Sequence, residues 1–324
     1  MGAPLALDRP LWELLVVPDA QAQWVGFVLR IHHAVADGMA AVSIAKLLFD
    51  PMGPDAAPAS ASVPAMPGSP HPPPAPELRR HRHPWRWLRT FLVGLHRTRL
   101  TLAGSEVGAT VLLGPRGARR GVAFVDVDLA ALAERVRPRG ATVNDGLLAG
   151  VAAGYRAALP AAGESLPARL PVSIPVALPR RGPSGNQVGV MLVRLPLTVP
   201  AADDRLRLIA EQTRAEKVRA REQGTLELMR GPVGARIMDS IAQRQHLVAG
   251  FVTNVPGPAG PLRLAGAAVD TIWPVAVLAA NVRLGVAALS YAGRLSCSIH
   301  FDLANVPGAV FARAMSDELA RLSE

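Results

Sequence analysis

Cysteine is almost absent from this sequence, with Cys297 the one cysteine among 324 residues. A single cysteine excludes an intrachain disulfide and any metal site built from several cysteines, and it is compatible with a reducing compartment. Aromatic residues are also scarce, at 4% of the chain, so stacking platforms for single-stranded nucleic acid are not expected. Signatures of helix-turn-helix, zinc-finger and RNA-binding domains are missing as well. We therefore expect no cysteine-based metal site and no nucleic-acid partner.

Signals for export or membrane insertion are also weak. The first residues lack the basic region and apolar core of a signal peptide, and Ala6 stands where N-myristoylation requires Ser or Thr. The apolar stretch at residues 269–289 is interrupted by a proline, an asparagine and an arginine, which favours buried strands over a membrane span. We expect a cytoplasmic protein.

The composition that is present indicates a folded chain with a positive charge. Hydrophobic residues make up 50% of the sequence, so the chain can bury a large core in one large domain or two ordinary ones. Lys and Arg number 35 against 25 Asp and Glu, which gives a net charge of +10. This excess favours anionic partners such as phospholipid surfaces or phosphorylated cofactors.

The motif HHxxxDG marks the strongest candidate site. An apolar run predicts a strand at residues 24–31, and an apolar helical pattern follows at residues 39–49. Between these two elements stand the polar residues of the motif, which are His32, His33, Asp37 and Gly38.

The chemistry of acyl transfer explains these residue types. An alcohol is acylated at neutral pH only if a base removes its proton, and neutral imidazole has a suitable basicity. Because successive side chains of a strand point to opposite faces, His32 and His33 cannot both face one cavity unless the strand ends before them. Asp37 is expected to hold the turn, and Gly38 leaves room for a substrate. Adjacent histidines alone are more often surface or core residues, but the order of strand, histidines, turn and helix favours a catalytic motif.

The chain divides into four predicted segments. They are a fragment of an α/β domain that carries the motif at residues 1–50, a proline-rich extended linker at 51–84, a basic amphipathic helix with a connector at 85–119, and a complete α/β unit at 120–324. The helix at residues 85–97 mixes tryptophans, leucines and arginines, and could lie in a bilayer interface. The alternative is a helix that packs on the protein's own core with its arginines reaching water.

Alternating strands and helices are predicted in the last segment. The strands are expected at 122–128, 170–176, 185–195 and 251–255, with a hairpin or meander in 276–299. The helices are expected at 129–136, 146–159, 203–221 and 309–322. Prolines in the strand at 170–176 favour an edge position or a short strand. Asn144 is the expected N-cap of the helix at 146–159, and Ala292 with Gly293 the expected turn of the hairpin.

Several motifs resemble one family. HHxxxDG is similar to the signature of the coenzyme A-dependent acyltransferases with the chloramphenicol acetyltransferase-like fold. Further fragments resemble, in order, the bacterial wax ester synthase/diacylglycerol acyltransferases. They are 10–13 (PLWE), 143–145 (VND), 171–175 (PVSIP), 185–188 (GNQV), 253–258 (TNVPGP) and 290–293 (SYAG). The resemblance covers residues 5–322, with the proline-rich linker poorly matched.

The resemblance implies a reaction and roles for individual residues. Such enzymes transfer a long-chain acyl group from acyl-CoA to diacylglycerol or a fatty alcohol, without metal or prosthetic group. His33 is then the general base, and His32 a packing or orienting residue. Thr253 and Asn254 become candidates for oxyanion donors, with turn formation as the alternative. Asn144 and Asp145 match a further motif, where helix capping is the expected role.

The same resemblance implies an α/β, two-lobed sandwich whose N-terminal lobe is incomplete. Family members carry further residues ahead of the Pro-Leu-Trp motif, so strands that pair with residues 25–31 are expected to be missing, which exposes apolar surface. A segment supplied in trans is one way to complete the lobe. A lipid acceptor also favours a peripheral location at the inner membrane surface or on lipid bodies. The alternatives are a condensation-type acyltransferase of the same superfamily and an inactive remnant that binds lipid surfaces.

Overall fold

The structure is a computed structural model, and it describes most of the chain outside the predicted linker and basic helix. The described residues are 5–6, 8–21, 23–32, 35, 38–50, 107–177, 188–223, 245–258, 260–278 and 280–324. The predicted linker at 51–84, the amphipathic helix at 85–97, and Asn186 with Gln187 therefore lie outside the described residues.

A two-stranded hairpin and a short helix form the N-terminal part. Strand β1 (Trp12–Pro18) pairs antiparallel with β2 (Val25–Ile31) along its whole length, and α1 (Gly38–Lys46) follows. The predicted strand and helix are both confirmed, although α1 ends three residues before the predicted position 49. Within the described residues β2 has one neighbour, β1. The expected exposed apolar surface is present, since Trp12 and Trp24 are 56% and 58% exposed.

A six-stranded mixed sheet forms the centre of the molecule. Its strands, in spatial order, are β3 (Arg120–Asp128), β10 (Arg294–Asp302), β9 (Leu284–Tyr291), β6 (Gly250–Pro256), β4 (Arg169–Ala177) and β5 (Val188–Pro196). Strand β6 runs parallel to both of its neighbours, and the other three pairings are antiparallel. A small hairpin, β7 (Arg263–Leu264) with β8 (Ala267–Ala268), lies apart from this sheet. The predicted mixed α/β class is confirmed.

Helices cover one face of the sheet and enclose the main core. They are α2 (Leu129–Val136), α3 (Val143–Ala161), α4 (Ala202–Gln223) and α5 (Gly308–Arg321). Helix α3 is central, and glycines let α5 approach it closely. A Cβ at Gly150 would lie 2.9 Å from the side chain of Leu319, and one at Gly154 would lie 2.8 Å from the ring of Phe311. Among the helices of the described residues, none is long and apolar enough to cross a bilayer.

The prediction of an edge position for the strand at 170–176 is wrong. Strand β4 lies between β6 and β5, and β5 is at the edge. The carbonyl of Pro171 accepts a hydrogen bond from Ala249 N, just before β6, so the edge of β4 that lacks the proline N–H faces β6. Pro175 presents the same edge, and β4 pairs with β6 at only two positions. The prolines are tolerated because they face this short pairing.

The described residues 269–278 form no strand, contrary to the prediction of buried strands in 269–289. Residues 269–278 cross the sheet face opposite the helices without regular secondary structure. Side chains of β10 hold this stretch, because Ser298 Oγ donates to the carbonyl of Pro274 and His300 Nδ1 donates to that of Ala276. We call this face of the sheet the outer face.

The hairpin between β9 and β10 is confirmed at the predicted turn. Ala292 and Gly293 both have positive φ, at 44° and 82°. Two successive residues in this conformation form the turn that matches the twist of a tight hairpin.

Candidate functional site

The HHxxxDG motif spans the junction between β2 and α1. His32 directly follows β2 and is exposed. Its backbone N–H donates to the carbonyl of Leu11 at 2.8 Å. The N–H of Val35 donates to the carbonyl of His32, so the chain turns at the end of the strand. Gly38 begins α1. His33 and Asp37 lie outside the described residues.

Helix α1 and the residues that follow it pack on the outer face of the central sheet. Leu262, Leu289 and Tyr291 form a small buried cluster there, and Val42 and Phe49 pack against it. Because Val42 is in α1 and Phe49 follows it, this contact places the helix of the motif on the C-terminal part of the chain.

Asp50 fixes the end of this segment to the β7–β8 hairpin. Its Oδ1 accepts from Ala265 N at 2.9 Å and its Oδ2 accepts from Gly266 N at 2.8 Å. Its own N–H donates to the carbonyl of Arg263 at 2.8 Å. Both turn residues have positive φ, at 51° and 80°, so the carboxylate caps the two N–H groups of the turn. This contact could not be predicted, because nothing in the sequence links positions so far apart.

Ser290 and Tyr291 have structural contacts in this region. The Tyr291 hydroxyl accepts from Leu262 N at 2.9 Å and donates to the carbonyl of Val269 at 2.7 Å. Ser290 Oγ accepts from Gly257 N at 3.2 Å. The two side chains therefore anchor the loop that follows β6, and Tyr291 at 2% exposure is part of the core beneath α1.

The two oxyanion candidates lie next to each other on β6 but on opposite faces of the sheet. Thr253 pairs with Ala287 and Asn254 pairs with Ala288 of β9. Ala288 belongs to the core under the helices, whereas Thr253 shares the outer face with Leu289, against which α1 packs. The structure therefore brings Thr253, and not Asn254, to the face that carries the helix of the motif.

Asp145, and not Asn144, takes part in the capping of α3. The predicted N-cap is wrong, because α3 begins at Val143 and Thr142 is the N-cap. Thr142 and Asp145 form a capping box, in which the Asp145 carboxylate accepts from the backbone N–H of Thr142 at 2.7 Å. Thr213 Oγ1 of α4 also donates to this carboxylate, at 2.6 Å from Asp145 Oδ1. Asn144 is half-buried in the first turn of α3.

Cys297 is not a nucleophile in this fold. It is fully buried in the core, and burial raises the pKa of its thiol to about 12. The reactive thiolate is therefore negligible at neutral pH. Within the described part of the chain, no group of His, Cys, Asp and Glu could hold a metal ion.

Comparison with known proteins identifies the family. Residues 1–147 match the wax ester synthase/diacylglycerol acyltransferase catalytic domain, and residues 184–323 match the C-terminal domain of the same family. A probable diacylglycerol O-acyltransferase of Mycobacterium tuberculosis is 30% identical over 99% of this chain and 73% of its own length. The chain belongs to the wax ester synthase/diacylglycerol acyltransferase family. The family predicted from the sequence motifs is confirmed.

A solved structure of the same family supports the fold. The wax ester synthase/diacylglycerol acyltransferase from Marinobacter aquaeolei VT8 matches with a TM-score of 0.68 at 20% identity, over 99% of this chain and 72% of that one. The two matched domains of the family share the central sheet here. Strand β3 belongs to the catalytic-domain match and pairs with β10 of the C-terminal match. The four predicted segment boundaries stay a prediction.

Proposed function

We propose that this chain transfers a long-chain acyl group from acyl-CoA to diacylglycerol or to a fatty alcohol, with His33 as the general base. The observation that carries the proposal is the HHxxxDG motif at the junction of β2 and α1, inside the part that matches the family's catalytic domain. Family membership supports the class of reaction, and the motif supports His33 as the general base.

The proposed reaction needs no metal or prosthetic group. His33 takes the proton from the acceptor hydroxyl as its oxygen attacks the thioester carbonyl carbon, which forms the new C–O bond. When the tetrahedral intermediate collapses, the C–S bond breaks and the imidazolium returns the proton to the departing CoA thiolate. Asp37 holds the turn, His32 orients the motif, and Gly38 leaves space beside the acceptor.

Thr253 is the better of the two candidates for an oxyanion donor. It is half-buried on the outer face, the face on which α1 packs, whereas Asn254 is on the face toward the helices. A hydroxyl pre-aimed at the developing oxyanion stabilises the transition state by a few kcal/mol, about 3 kcal/mol in known cases.

The lipid acceptor gives a reason for contact with a lipid surface. The sequence at residues 85–97 combines aromatic, aliphatic and basic residues, as interfacial helices do. We propose that this segment holds the enzyme at the inner membrane surface or on lipid bodies, where the acceptor is dissolved.

Alanine substitution of each histidine tests the assignment of the base. CoA release from acyl-CoA in the presence of diacylglycerol vesicles is measured for wild type, His33→Ala and His32→Ala. His33→Ala is expected to lower turnover by about a hundred-fold or more, since positioned bases contribute that much. His32→Ala, the matched control, is expected to retain most of the turnover.

Vesicle binding separates this proposal from an inactive lipid-binding protein. His33→Ala is expected to cosediment with vesicles as wild type does, which shows that only chemistry is lost. Undiminished turnover in His33→Ala would overturn the assignment of the base. Vesicle binding by wild type without any turnover would favour the inactive protein.

A further inference from the structure

A pocket of about 370 Å³ lies at the other end of β9 from α1. Its lining residues are Gly114, Pro115, Arg116, Arg120, Ala280 and Asn281. Asn281 precedes β9, whereas α1 packs near Leu289 and Tyr291 at the end of that strand. At about 3.3 Å per residue, β9 separates the two places by roughly 23 Å.

Two guanidinium groups line this pocket and are held by backbone carbonyls. Arg116 Nη1 donates to the carbonyl of Leu278, and Arg120 Nη1 donates to that of Gly117. A guanidinium has five N–H donors. Among the described residues, the other close polar contact of the two groups is an ion pair, in which Asp302 lies 3.7 Å from Arg120 Nη1. The carbonyls therefore hold both side chains in place, and each guanidinium keeps further N–H donors for a ligand.

The carboxylate nearest to these arginines, that of Asp302, already accepts hydrogen bonds from other groups. The Asp302 side chain is fully buried and accepts hydrogen bonds from Gly117 N, from Ala304 N at 3.0 Å and from Asn305 Nδ2 at 3.1 Å. Burial, and then the positive charge of Arg120, lowers the pKa of Arg116, and the negative charge of Asp302 opposes this shift only in part. The pocket thus carries more positive charge than the protein neutralises.

A third guanidinium stiffens the wall of the pocket. Arg283 donates through Nε and Nη2 to the carbonyl of Pro115, at 3.0 and 2.7 Å. Gly114, at φ +131°, lies so close that a Cβ there would be 2.9 Å from Arg283 Nη2. The side-chain amide of Asn281, another lining residue, accepts a hydrogen bond from that of Gln245 at 2.9 Å. Hydrogen bonds within the protein therefore hold several of the lining residues.

We propose that this pocket binds a phosphate monoester, and that the monoester is the 3′-phosphate of the acyl-CoA donor. The inference rests on the proposed function for the identity of the donor. Two guanidinium groups against the one carboxylate of Asp302 leave a net positive charge, and the oxygens of a phosphate group match the planar forks of the guanidiniums. CoA holds its 3′-phosphate and its thioester at opposite ends, as the pocket and α1 are held at opposite ends of β9.

Direct binding of CoA and 3′-dephospho-CoA tests the proposal without any turnover. Titration calorimetry on the wild-type chain is expected to show CoA binding about ten-fold more tightly than dephospho-CoA, because charge-assisted hydrogen bonds contribute about that much. Arg116→Gln is expected to weaken CoA binding about ten-fold and to leave dephospho-CoA unchanged. Arg119→Gln, which removes an exposed charge from the same loop outside the pocket, is the matched control and is expected to leave both unchanged.

Each contrary outcome is distinct. Equal losses in Arg116→Gln and Arg119→Gln, or no loss in either, would overturn the site. If binding of phosphatidate vesicles or inorganic phosphate depends on Arg116 while CoA binding does not, the assignment to the donor is wrong. If Arg116→Gln does not fold, Arg116→Lys keeps the charge but loses the fork, and several-fold weaker CoA binding is then expected. Arg116-dependent CoA binding in a chain without acyl transfer would contradict the proposed function and not the site.

Discussion

At the residue scale, Asp145 joins two helices, α3 and α4, that meet only in the folded chain. Its carboxylate closes the capping box with Thr142 at the start of α3 and accepts a hydrogen bond from Thr213 of α4. Asp145 is 2% exposed, so water cannot readily replace these hydrogen bonds if the carboxylate is removed. The fold itself therefore accounts for an aspartate at this position.

Substitution of Asp145 is expected to affect stability more than turnover. Asp145→Ala opens the capping box of α3 and removes the hydrogen bond from Thr213, whose hydroxyl keeps the carbonyl of Ala210 as a partner, so the free energy of unfolding should fall by about 2 kcal/mol. Urea denaturation followed by circular dichroism measures this change. Asp317→Ala, on the exposed side of α5, is the control and should change stability little. A folded Asp145→Ala enzyme that has lost its turnover would show that the carboxylate takes part in the reaction.

At the element scale, α1 depends on partners far away in the chain. A nine-residue helix is too short to be stable alone in water. Its stability comes from Val42 and Phe49 against the outer face, and from Asp50 on the turn of the β7–β8 hairpin. The same contacts hold one end of the HHxxxDG motif in place.

Loss of the Asp50 contact is expected to reduce turnover without unfolding the protein. Asp50→Ala removes two hydrogen bonds to a carboxylate, and we expect kcat to fall about ten-fold while the melting temperature of the main core changes little. Hydrogen exchange should show that the amides of Ala265 and Gly266 lose protection. Asp270→Ala, an exposed aspartate beyond the same hairpin, should have neither effect. Unchanged turnover in Asp50→Ala would mean that this contact does not position the motif.

Local sequence patterns predicted elements well where the local signal is complete. Helix α2 was predicted at its observed bounds, and the β9–β10 turn at Ala292 and Gly293, because periodicity and turn chemistry are local. Helix α3 begins earlier than predicted, because Thr142, three residues before Asp145, is the N-cap of a capping box. The position of β4 depends on the short pairing with β6, which no local pattern shows.

At the scale of the whole molecule, one sheet unites the two matched domains of the family. The outer face of this sheet carries α1 near one end of β9 and the arginine pocket near the other. The motif HHxxxDG could be found from the sequence because its residues are adjacent. The pocket could not, because Arg116 and Asn281 are distant in the chain and meet only when β3, β9 and β10 have paired.

The most direct test of the central claim measures the two products of one reaction. The full chain is incubated with isotope-labelled acyl-CoA and vesicles that contain diacylglycerol or a fatty alcohol, and ester and free CoA are both quantified. The account predicts equimolar ester and CoA from the wild-type chain, and a loss of both by about a hundred-fold or more in His33→Ala. CoA release without ester, or ester formation by His33→Ala at the wild-type rate, would contradict it.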